Sequence, residues 1–401
     1  NVTGVQTCAL PIWAARTSTV TRCPNSMRAA LTLRGATAIM TSVMSAVVVI
    51  AATPPAEISL ARAEALYAKL PKTDPWDERP DGSVLAWGES HTMHALVDLF
   101  EATGEAKYLE DVARRGDRLL THRDDRAGVK DGSGHSRPAW SMGLKYVVAD
   151  GRLTDASGRP LVALRSCPSA YNDETQVEVV PDARGRFTLK IRNAHYERTE
   201  QFDDVSLVAG EARFVETIVN ASKFSVSPRR GHFTTHSDLL RVTVLAAGSP
   251  VAQAITLRPI TLAYMGYAGV IYHPMLRFAE QVRSQPRLAA LAPAAARFVE
   301  AAEETYADAT RRLWRDGPRE GEGYYLCCER GESFPYDNLG EPFNYLGRHT
   351  SSQLALHRLT GKAEYRVRAE KMARLFKNRV THDRARDLYV WNYWYEIGRA
   401  H

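Results

Sequence analysis

Histidine and tyrosine residues at a few positions of this sequence have the side chains needed for proton transfer. Tyr272-His273 and Arg348-His349 each begin or lie early in a predicted helix, and Tyr393 lies in an aromatic segment near the C-terminus. A histidine or tyrosine can remove or return a proton, and a cation or amide can stabilise the negative charge that develops on a substrate. We therefore predict five catalytic residues, the last of them a loop carboxylate: His349, Tyr272, His273, Tyr393 and Glu341.

Aromatic and amide side chains near these residues are suited to binding a sugar. Rings stack on the apolar faces of pyranoses, while Asn, Asp, Arg and His bond the hydroxyls. The rings recur in three segments that each follow a pair of predicted helices, VKDGSGHSRPAW, GYYLCCERGESFPYDNLGEPF and DLYVWNYWYE. As a set on equivalent loops, they favour a carbohydrate groove over packing between repeats. The predicted substrate-binding residues are Arg348, Asn344, Asn338, Asp337, Trp140, Tyr336, Trp391 and Asn392.

Paired carboxylates would support a different chemistry, the hydrolysis of a glycosidic bond. This reaction needs two carboxyl groups placed across the bond that is broken. Asp337 and Glu341 lie close together in a predicted loop, where sequence spacing fixes no distance between them. Glycoside hydrolysis therefore stays open as an alternative, with four candidate residues: Glu89, Glu332, Asp337 and Glu341.

One short motif has the residue types of a metal site. Glu89, His91 and His94 form the pattern E-x-H-x-x-H, with both histidines on one face of a predicted helix. The pattern is not the HExxH zinc motif, and no further ligand is indicated. The sequence also has no phosphate-binding loop, no paired CxxC motif and no Gly-x-Ser-x-Gly serine elbow. We therefore expect neither a metal nor a cofactor.

Pairs of predicted helices would position these residues. Apolar residues recur at helical spacing over 57–122, and a second pair of helices is predicted at about 267–282 and 293–314. A third pair is predicted on either side of Thr360-Gly361, because Gly suits the end of one helix and the turn into the next.

The first and third helical pairs resemble each other in sequence. Both contain the motif T-G-x-A-x-Y, which begins at Thr103 in the first pair and at Thr360 in the third. In each pair, the motif follows a helix that is predicted to begin soon after a His-Thr dipeptide, His91-Thr92 or His349-Thr350. Repeated helical pairs predict a solenoid or an (α/α) toroid. An open tetratricopeptide-like array is the alternative. A closed toroid usually needs more than three pairs, so the predicted toroid is incomplete.

Residues 144–258 are predicted to form strands instead. The runs KYVVA, LVALRS, TQVEVV, RFTLKIR and LLRVTVLA are separated by turn residues, such as Asp182 to Gly185. The segment from Tyr171 to Val226 distantly resembles a β-module of phage tail-sheath proteins, in structure only. We expect a mostly α protein interrupted by a β-sandwich-like module, with three parts: a helical part at 57–143, the β-module at 144–258 and a helical part at 259–396.

Helical pairs with aromatic loops and an attached β-module look like the α/α-toroid carbohydrate-active enzymes. The tail EPFNYLGRHTSSQLALHRLTGKAEY is similar in style to the helical domain of glucuronyl C5-epimerases and to the toroid domain of polysaccharide lyases. The similarity covers mainly 57–122 and 260–396 and matches no diagnostic motif residue by residue, so it transfers no catalytic assignment. It implies proton abstraction at C5 of a uronate, by an epimerase or a lyase. A non-catalytic carbohydrate-binding or surface scaffold protein is the alternative of a different class.

Both ends of the sequence look foreign to such a fold. NVTGVQTCALPI and EIGRAH can be back-translated to one DNA sequence read on opposite strands, as expected of translated sequencing adapter in assembled environmental DNA. We therefore expect residues 1–26 to be adapter and upstream read-through, and residues 397–401 to be adapter. On this interpretation the chain is a fragment of a longer protein.

Met27 begins a segment with the order of a secretory signal peptide. Arg28 and Arg34 form a short basic region, an apolar run follows from Ala36 to Ala52, and small residues end it. An uncleaved membrane anchor is the alternative, because the run is about long enough for a marginal membrane helix. A signal peptide at 27–52 predicts a secreted or periplasmic protein with no membrane contact beyond the export signal.

Composition gives little further guidance about partners. Five of the 52 Lys and Arg residues fall in these terminal segments, which leaves 47 basic residues against 46 acidic ones. The body is thus nearly neutral, so we expect no nucleic acid and a polysaccharide or oligosaccharide as partner. A local basic face cannot be seen in a net charge, and the oligomeric state is not indicated. An odd number of cysteines also remains, which does not form a disulfide framework: Cys167, Cys327 and Cys328.

Overall fold

The computed structural model describes residues 60–73, 80–143, 147–166, 172–220, 236–329 and 339–394. The chain divides into two compact units, Asn1–Pro75 and Trp76–His401. The described part of the first unit contains one helix, α1 (Leu60–Tyr67). The predictions for 1–26, 27–52 and 397–401 lie outside the described residues. Of the helices in the described ranges, none is long and apolar enough to span a membrane.

Three pairs of long helices form most of the second unit. The pairs are α3 (Ser90–Thr103) with α4 (Ala106–Thr121), α7 (Met265–Ser284) with α8 (Ala292–Leu313), and α9 (Phe343–Thr360) with α10 (Ala363–Lys377). Shorter helical segments are α2 (Gly82–Val84), a π-helical turn (Leu85–Glu89), α5 (Asp124–Ala127), 3-10 turns (Asn172–Glu174 and Pro286–Leu291) and α6 (Val215–Val219).

The first and third pairs share the same turn between their helices, as the sequence predicts. Gly104 and Gly361 end α3 and α9 in the left-handed region, with φ of 73° and 74°. Glycine adopts this conformation without the steric cost that a side chain would impose. The tyrosine of each T-G-x-A-x-Y stretch is then buried, with Tyr108 at 0% and Tyr365 at 4% exposure.

The start of the third pair differs from the prediction. The sequence predicts a helix that begins soon after His349-Thr350, but α9 begins at Phe343, so that this dipeptide lies inside the helix. Pro342 precedes the first helical residue, with φ of −65°. The proline ring fixes this dihedral. Proline also has no backbone N–H, so it leaves no unpaired donor at a helix start.

The first helices of the three pairs run parallel to one another. The His94 ring of α3 lies 4.8 Å from the His273 ring of α7, and one turn further along both helices Asp98 pairs with Arg277 at 2.8 Å. Towards their C-terminal ends, Glu280 of α7 pairs with Arg358 of α9 at 2.5 Å. Helix α7 thus lies between α3 and α9 and contacts both. We call α3, α7 and α9 the inner helices.

The segments that precede the inner helices meet at the N-terminal end of this array. The Gly82 N–H donates to the Ser141 carbonyl at 2.8 Å, and the Tyr264 N–H donates to the Trp140 carbonyl at 3.1 Å. The Phe343 N–H donates to the Tyr393 carbonyl at 3.1 Å. The described parts of the first and third aromatic segments are therefore placed beside the starts of inner helices.

Two four-stranded antiparallel sheets form the β-module. Their strand orders are β6-β2-β1-β8 and β5-β4-β3-β7. Residues from both sheets contribute to one apolar cluster, which includes Leu153 and Val162 from the first and Val177 and Leu189 from the second. The strands are β1 (Ala149–Thr154), β2 (Pro160–Ser166), β3 (Thr175–Pro181), β4 (Phe187–Asn193), β5 (Arg198–Val205), β6 (Leu240–Val244), β7 (Gln253–Thr256) and β8 (Arg258–Pro259).

Four of the five predicted strand runs match β2, β3, β4 and β6 closely. The turn from Asp182 to Gly185 also joins β3 to β4 as predicted. Of the run KYVVA, Lys145 and Tyr146 lie outside the described residues, and Val147 and Val148 precede β1, which begins at Ala149 and continues to Thr154. Two small hairpins lie among the helices, β9 (Trp314–Asp316) with β10 (Gly323–Tyr325) and β11 (Thr381–Asp383) with β12 (Leu388–Val390). The chain is thus a mixed α and β protein.

Replacing Gly116 with alanine tests the packing of α4 against α8. Gly116 is buried in α4, and an added Cβ would overlap the ring of Phe298 in α8. Overpacking of this kind costs about 1–3 kcal/mol. We therefore expect G116A to lower the free energy of unfolding by that amount, measured by urea denaturation.

Gly347 in α9 provides a matched control for this substitution. It is exposed, and apart from the backbone of its own helix an added Cβ would meet no described atom within 4 Å. Alanine at such a position stabilises a helix by about 0.5–1 kcal/mol relative to glycine. We therefore expect G116A to lower the free energy of unfolding and G347A to raise it. A higher free energy of unfolding in G116A than in the wild type would contradict the packing described.

Candidate functional site

The inner helices bring histidines, arginines and aromatic rings together on one partly exposed surface. The residues come from the start of α3 and its preceding π-helical turn, from the middle of α7 and from the first turns of α9. We call this group the inner-helix cluster: Trp87, His91, His94, His273, Arg277, Tyr345 and Arg348.

Three histidines from two helices lie at the centre of this cluster. The His94 ring lies 4.8 Å from the His273 ring and 6.4 Å from the His91 ring. Arg277 holds the two helices together, because its guanidinium pairs with Asp98 at 2.8 Å and with a second acidic residue of α3. His94 Nδ1 also lies 3.5 Å from Arg277.

These histidines are neutral near pH 7. Burial, followed by the nearby positive charges, lowers the pKa of His94 to about 3 and that of His273 to about 4. Burial and then the charge of Arg348 lower the pKa of His91 as well. A neutral imidazole carries a lone pair that can accept a proton, so the cluster has three groups in the protonation state of a base.

Polar groups of the cluster remain without partners in the described part of the chain. His94 Nε2 and His273 Nδ1 are buried and make no hydrogen bond there. The half-buried Arg348 forms no ion pair or hydrogen bond with any described residue, unlike Arg277. A guanidinium in this setting can bind a carboxylate in a bidentate manner.

Trp87 and Tyr345 provide an aromatic surface beside the histidines. Trp87 is 41% exposed, and its ring stacks on that of His91 at 5.9 Å with an interplanar angle of 23°. The Tyr345 ring lies 5.5 Å from Trp87. Burial raises the pKa of Tyr345, so its phenol keeps its proton and can act as a donor.

Glu341 lies behind this surface and is fully buried. The Tyr264 hydroxyl donates to Glu341 Oε2 at 3.0 Å, and the Gly266 N–H also donates to the carboxylate. Oε1 is buried without a partner among the described residues. Burial raises the pKa of Glu341 to about 8 despite these hydrogen bonds, so the carboxyl is mostly protonated near pH 7.

Three of the other predicted residues lie in the packing between helices. His349 is fully buried, with Nδ1 3.0 Å from the Tyr306 hydroxyl, and burial lowers its pKa to about 3. The Tyr272 hydroxyl donates to the Ala301 carbonyl at 2.9 Å, and Trp140 Nε1 donates to a carbonyl of α4 at 3.0 Å. Side chains placed in this way could reach a saccharide only if the helices separated.

A second group of predicted residues lines a groove of about 460 Å³ between α9 and α10. Asn344, Trp391 and Tyr393 all line it, and Asn392 is exposed beside it. Asn344 and Arg348 are one turn apart on α9, so the groove and the inner-helix cluster flank one exposed stripe of this helix. The remaining predicted residues, Asn338, Asp337 and Tyr336, lie outside the described residues.

Of the four carboxylates considered for glycoside hydrolysis, the structure describes two, and both are buried. Glu89 is buried and forms ion pairs with Arg115 at 2.5 Å and with Arg118 at 3.3 Å. Glu341 is buried as described, while Glu332 lies outside the described residues together with Asp337. Within the described ranges, no group of three His, Cys, Asp or Glu side chains is arranged to hold a metal ion.

Sequence reasoning identified His273 and Arg348 but missed Trp87 and Tyr345, and it considered His91 and His94 only as metal ligands. Spacing offered a signal in each case. Trp87 precedes His91 by four residues, and Tyr345 precedes Arg348 by three, so each pair shares a helix face.

The chain was also compared with known proteins. No protein-family model and no curated protein matches the sequence.

Replacing Arg348 with glutamine removes a positive charge that lowers the pKa of His91, His94 and His273. We expect all three pKa values to rise in R348Q while burial keeps them below 6.5, as measured by NMR titration of the imidazole C2–H signals. R366Q removes an arginine that is 57% exposed on α10 and should leave them unchanged. Identical titrations in R348Q and the wild type would contradict the proximity of Arg348 to the histidines.

Replacing Glu341 with glutamine should change how stability depends on pH. The pKa of Glu341 in the folded state, about 8, lies above its ordinary value of 4.5. The proton on Glu341 therefore contributes its full stabilisation below pH 4.5, and this stabilisation is lost as the pH rises through 8. E341Q mimics the protonated form at every pH. Near pH 9 it should exceed the wild type in free energy of unfolding by on the order of 5 kcal/mol, and near pH 4.5 the two should be similar.

Urea denaturation at several pH values measures this difference. E364Q, which alters an exposed glutamate in the first turn of α10, is the control and should follow the wild type at each pH. A constant offset between E341Q and the wild type across the range would show that Glu341 titrates normally.

Proposed function

We propose that this protein acts on a uronate-containing polysaccharide and removes the proton at C5 of a uronate, as an epimerase or a lyase. The observation that carries this proposal is the half-buried Arg348, which has no partner among the described residues and lies beside three neutral histidines. A uronate supplies a carboxylate for the arginine and an acidic C–H for a histidine.

Four members of the cluster have a direct role in this reaction. Arg348 binds the uronate carboxylate and stabilises the negative charge that develops when the C5 proton leaves. His91 is the proton acceptor, because its ring stacks on the exposed Trp87 and so lies at the open side of the cluster. Trp87 stacks on the apolar face of the sugar. Tyr345 keeps its proton and donates it to the intermediate.

Binding of the substrate would itself strengthen the base. Burial and the positive charge of Arg348 both lower the pKa of His91 in the free protein. A carboxylate bound to Arg348 neutralises that charge, so the pKa of His91 rises towards its ordinary value. His91 thus becomes a better proton acceptor at the moment when a substrate is present.

The arrangement of helices supports an incomplete (α/α) toroid of about three pairs. The inner helices are mutually parallel, and each is followed by a second helix. The segments before them meet at one end, which would form a mouth lined by aromatic loops. Such a mouth suits an extended polysaccharide, and the groove beside Asn344, Trp391 and Tyr393 would hold neighbouring sugars.

Export belongs to the same proposal. A secreted or periplasmic protein meets polysaccharides outside the cytoplasm, and the segment 27–52 has the residue pattern of the export signal.

Incubation of the full chain with a panel of uronate polymers tests the function directly. Unsaturated products, followed by absorbance, indicate a lyase, and solvent deuterium at C5 without chain cleavage indicates an epimerase. New reducing ends without unsaturation indicate a glycoside hydrolase. Saturable binding without any product indicates a carbohydrate-binding or scaffold protein. If no polymer of the panel gives unsaturated products or takes up deuterium at C5, the proposal is overturned.

Variants of the cluster test the assigned roles. H91Q removes the proposed base and should lower kcat/KM by about 10²–10⁴-fold. R348Q removes the cation and should lower it by about 10²–10³-fold. H357Q and R366Q change a histidine near the other end of α9 and an exposed arginine of α10, and both should retain wild-type activity. Full activity in H91Q would exclude His91 as the base.

A further inference from the structure

The β-module has a row of arginines on the face of its first sheet that points away from the apolar cluster. Arg241 of β6 lies opposite Arg165 of β2, which lies opposite Asp150 of β1, which lies opposite Arg258 of β8. Arg152 lies two residues beyond Asp150 on the same face, because side chains alternate along a strand. The alternate residues of these strands enter the apolar cluster, so the sheet is apolar on one side and basic on the other.

Loops at the edge of the sheet line this face together with the strands, and they form a groove of about 1190 Å³. The segment containing Lys130 to Ser133 lies beside the chain that follows β8, where the Gly132 N–H donates to the Thr261 carbonyl at 2.9 Å. The described lining of the groove includes five basic residues and two acidic ones. The basic residues are Lys130, Arg152, Arg165, Arg241 and Arg258.

Both acidic residues of the lining are already engaged. Asp150 accepts two hydrogen bonds from Arg165, at 2.8 and 2.9 Å. Asp131 accepts from Arg137 at 2.8 Å and from backbone N–H groups of its own loop. These contacts neutralise Arg165 locally, while the described lining as a whole has more basic than acidic residues. Arg152 and Arg258 are exposed, and within the described ranges neither forms an ion pair.

We propose that this groove binds an extended acidic polysaccharide, with carboxylates along the polymer paired to the arginines on its floor. Arg241 and Arg258 lie at the two ends of the row, three strand spacings of about 4.8 Å apart, with the Arg165–Asp150 pair between them. A polymer with repeated charges can pair with cations that are separated in this way. The anionic character of the ligand follows from the groove itself. The choice of a uronate polymer rests on the proposed function.

The lining favours a polysaccharide over a single-stranded nucleic acid. Proteins that hold single strands combine basic residues with aromatic side chains on which the bases stack. The described lining of this groove contains no aromatic residue, and its apolar members are small or aliphatic, such as Pro259 and Ile260. A polymer that carries a charge on each sugar needs only the arginines.

Titration of the full chain with polygalacturonate measures the binding, with dextran as the uncharged polymer and a single-stranded oligonucleotide as the competing anion. We expect binding of polygalacturonate that weakens as salt increases, and none of dextran. R152S/R258S removes two arginines of the groove and should weaken the binding by roughly tenfold or more, with a smaller salt dependence.

K190S/R192S is the matched control, because it removes two exposed basic residues from β4 in the other sheet of the module. It should bind polygalacturonate as the wild type does. Equal affinities for R152S/R258S and the wild type, or tighter binding of the oligonucleotide than of polygalacturonate, would overturn the proposal.

Activity on a short oligouronide separates this proposal from the proposed function. R152S/R258S should retain that activity, because the two arginines lie outside the inner-helix cluster. If the wild type shows no turnover, the catalytic proposal fails while the binding titration still decides the role of the groove.

Discussion

Helix α7 is buried on almost every side, and the arrangement of the other inner helices depends on that constraint. A buried helix must have its polar groups partnered by its neighbours. Tyr272 finds its partner in the Ala301 carbonyl of α8, and the Gly269 carbonyl accepts from Ser352 of α9 at 3.0 Å. Helix α9 comes this close because Gly269 has no side chain to separate the two backbones. Only the flank that carries His273 is left partly open, and the candidate site lies there.

Incomplete burial also explains the electrostatics of that site. A fully buried cation would need a partner, and a fully exposed histidine would titrate near its ordinary pKa. In the inner-helix cluster, Arg348 and His91 are each half-buried, so the arginine can remain charged while the imidazole stays neutral. The same surface therefore holds a cation and a free base side by side. A ligand carboxylate would offset the charge of Arg348, which disfavours protonation of the imidazole.

The balance of charge over the whole chain conceals how charge is distributed. Acidic and basic residues are nearly equal in number once the terminal segments are set aside. Many acidic residues are used in pairs within the fold, as Asp150 is with Arg165, and this leaves basic residues in excess on one sheet face. A sequence read for net charge gives no sign of this face, because strand register decides which residues become neighbours.

The amino-acid sequence alone determined the helical pairs and most of the β-module, since hydrophobic period and turn residues such as Gly104 and Gly361 act locally. It also pointed to His273 and Arg348 as residues able to do chemistry. Tertiary structure decided which polar residues remain accessible: His349 is enclosed by neighbouring helices, whereas His91 faces an exposed tryptophan. The sequence of one helix cannot indicate which other helix covers each of its faces. Distances between residues far apart in the chain, and the pKa shifts that follow from them, exist only once the helices pack.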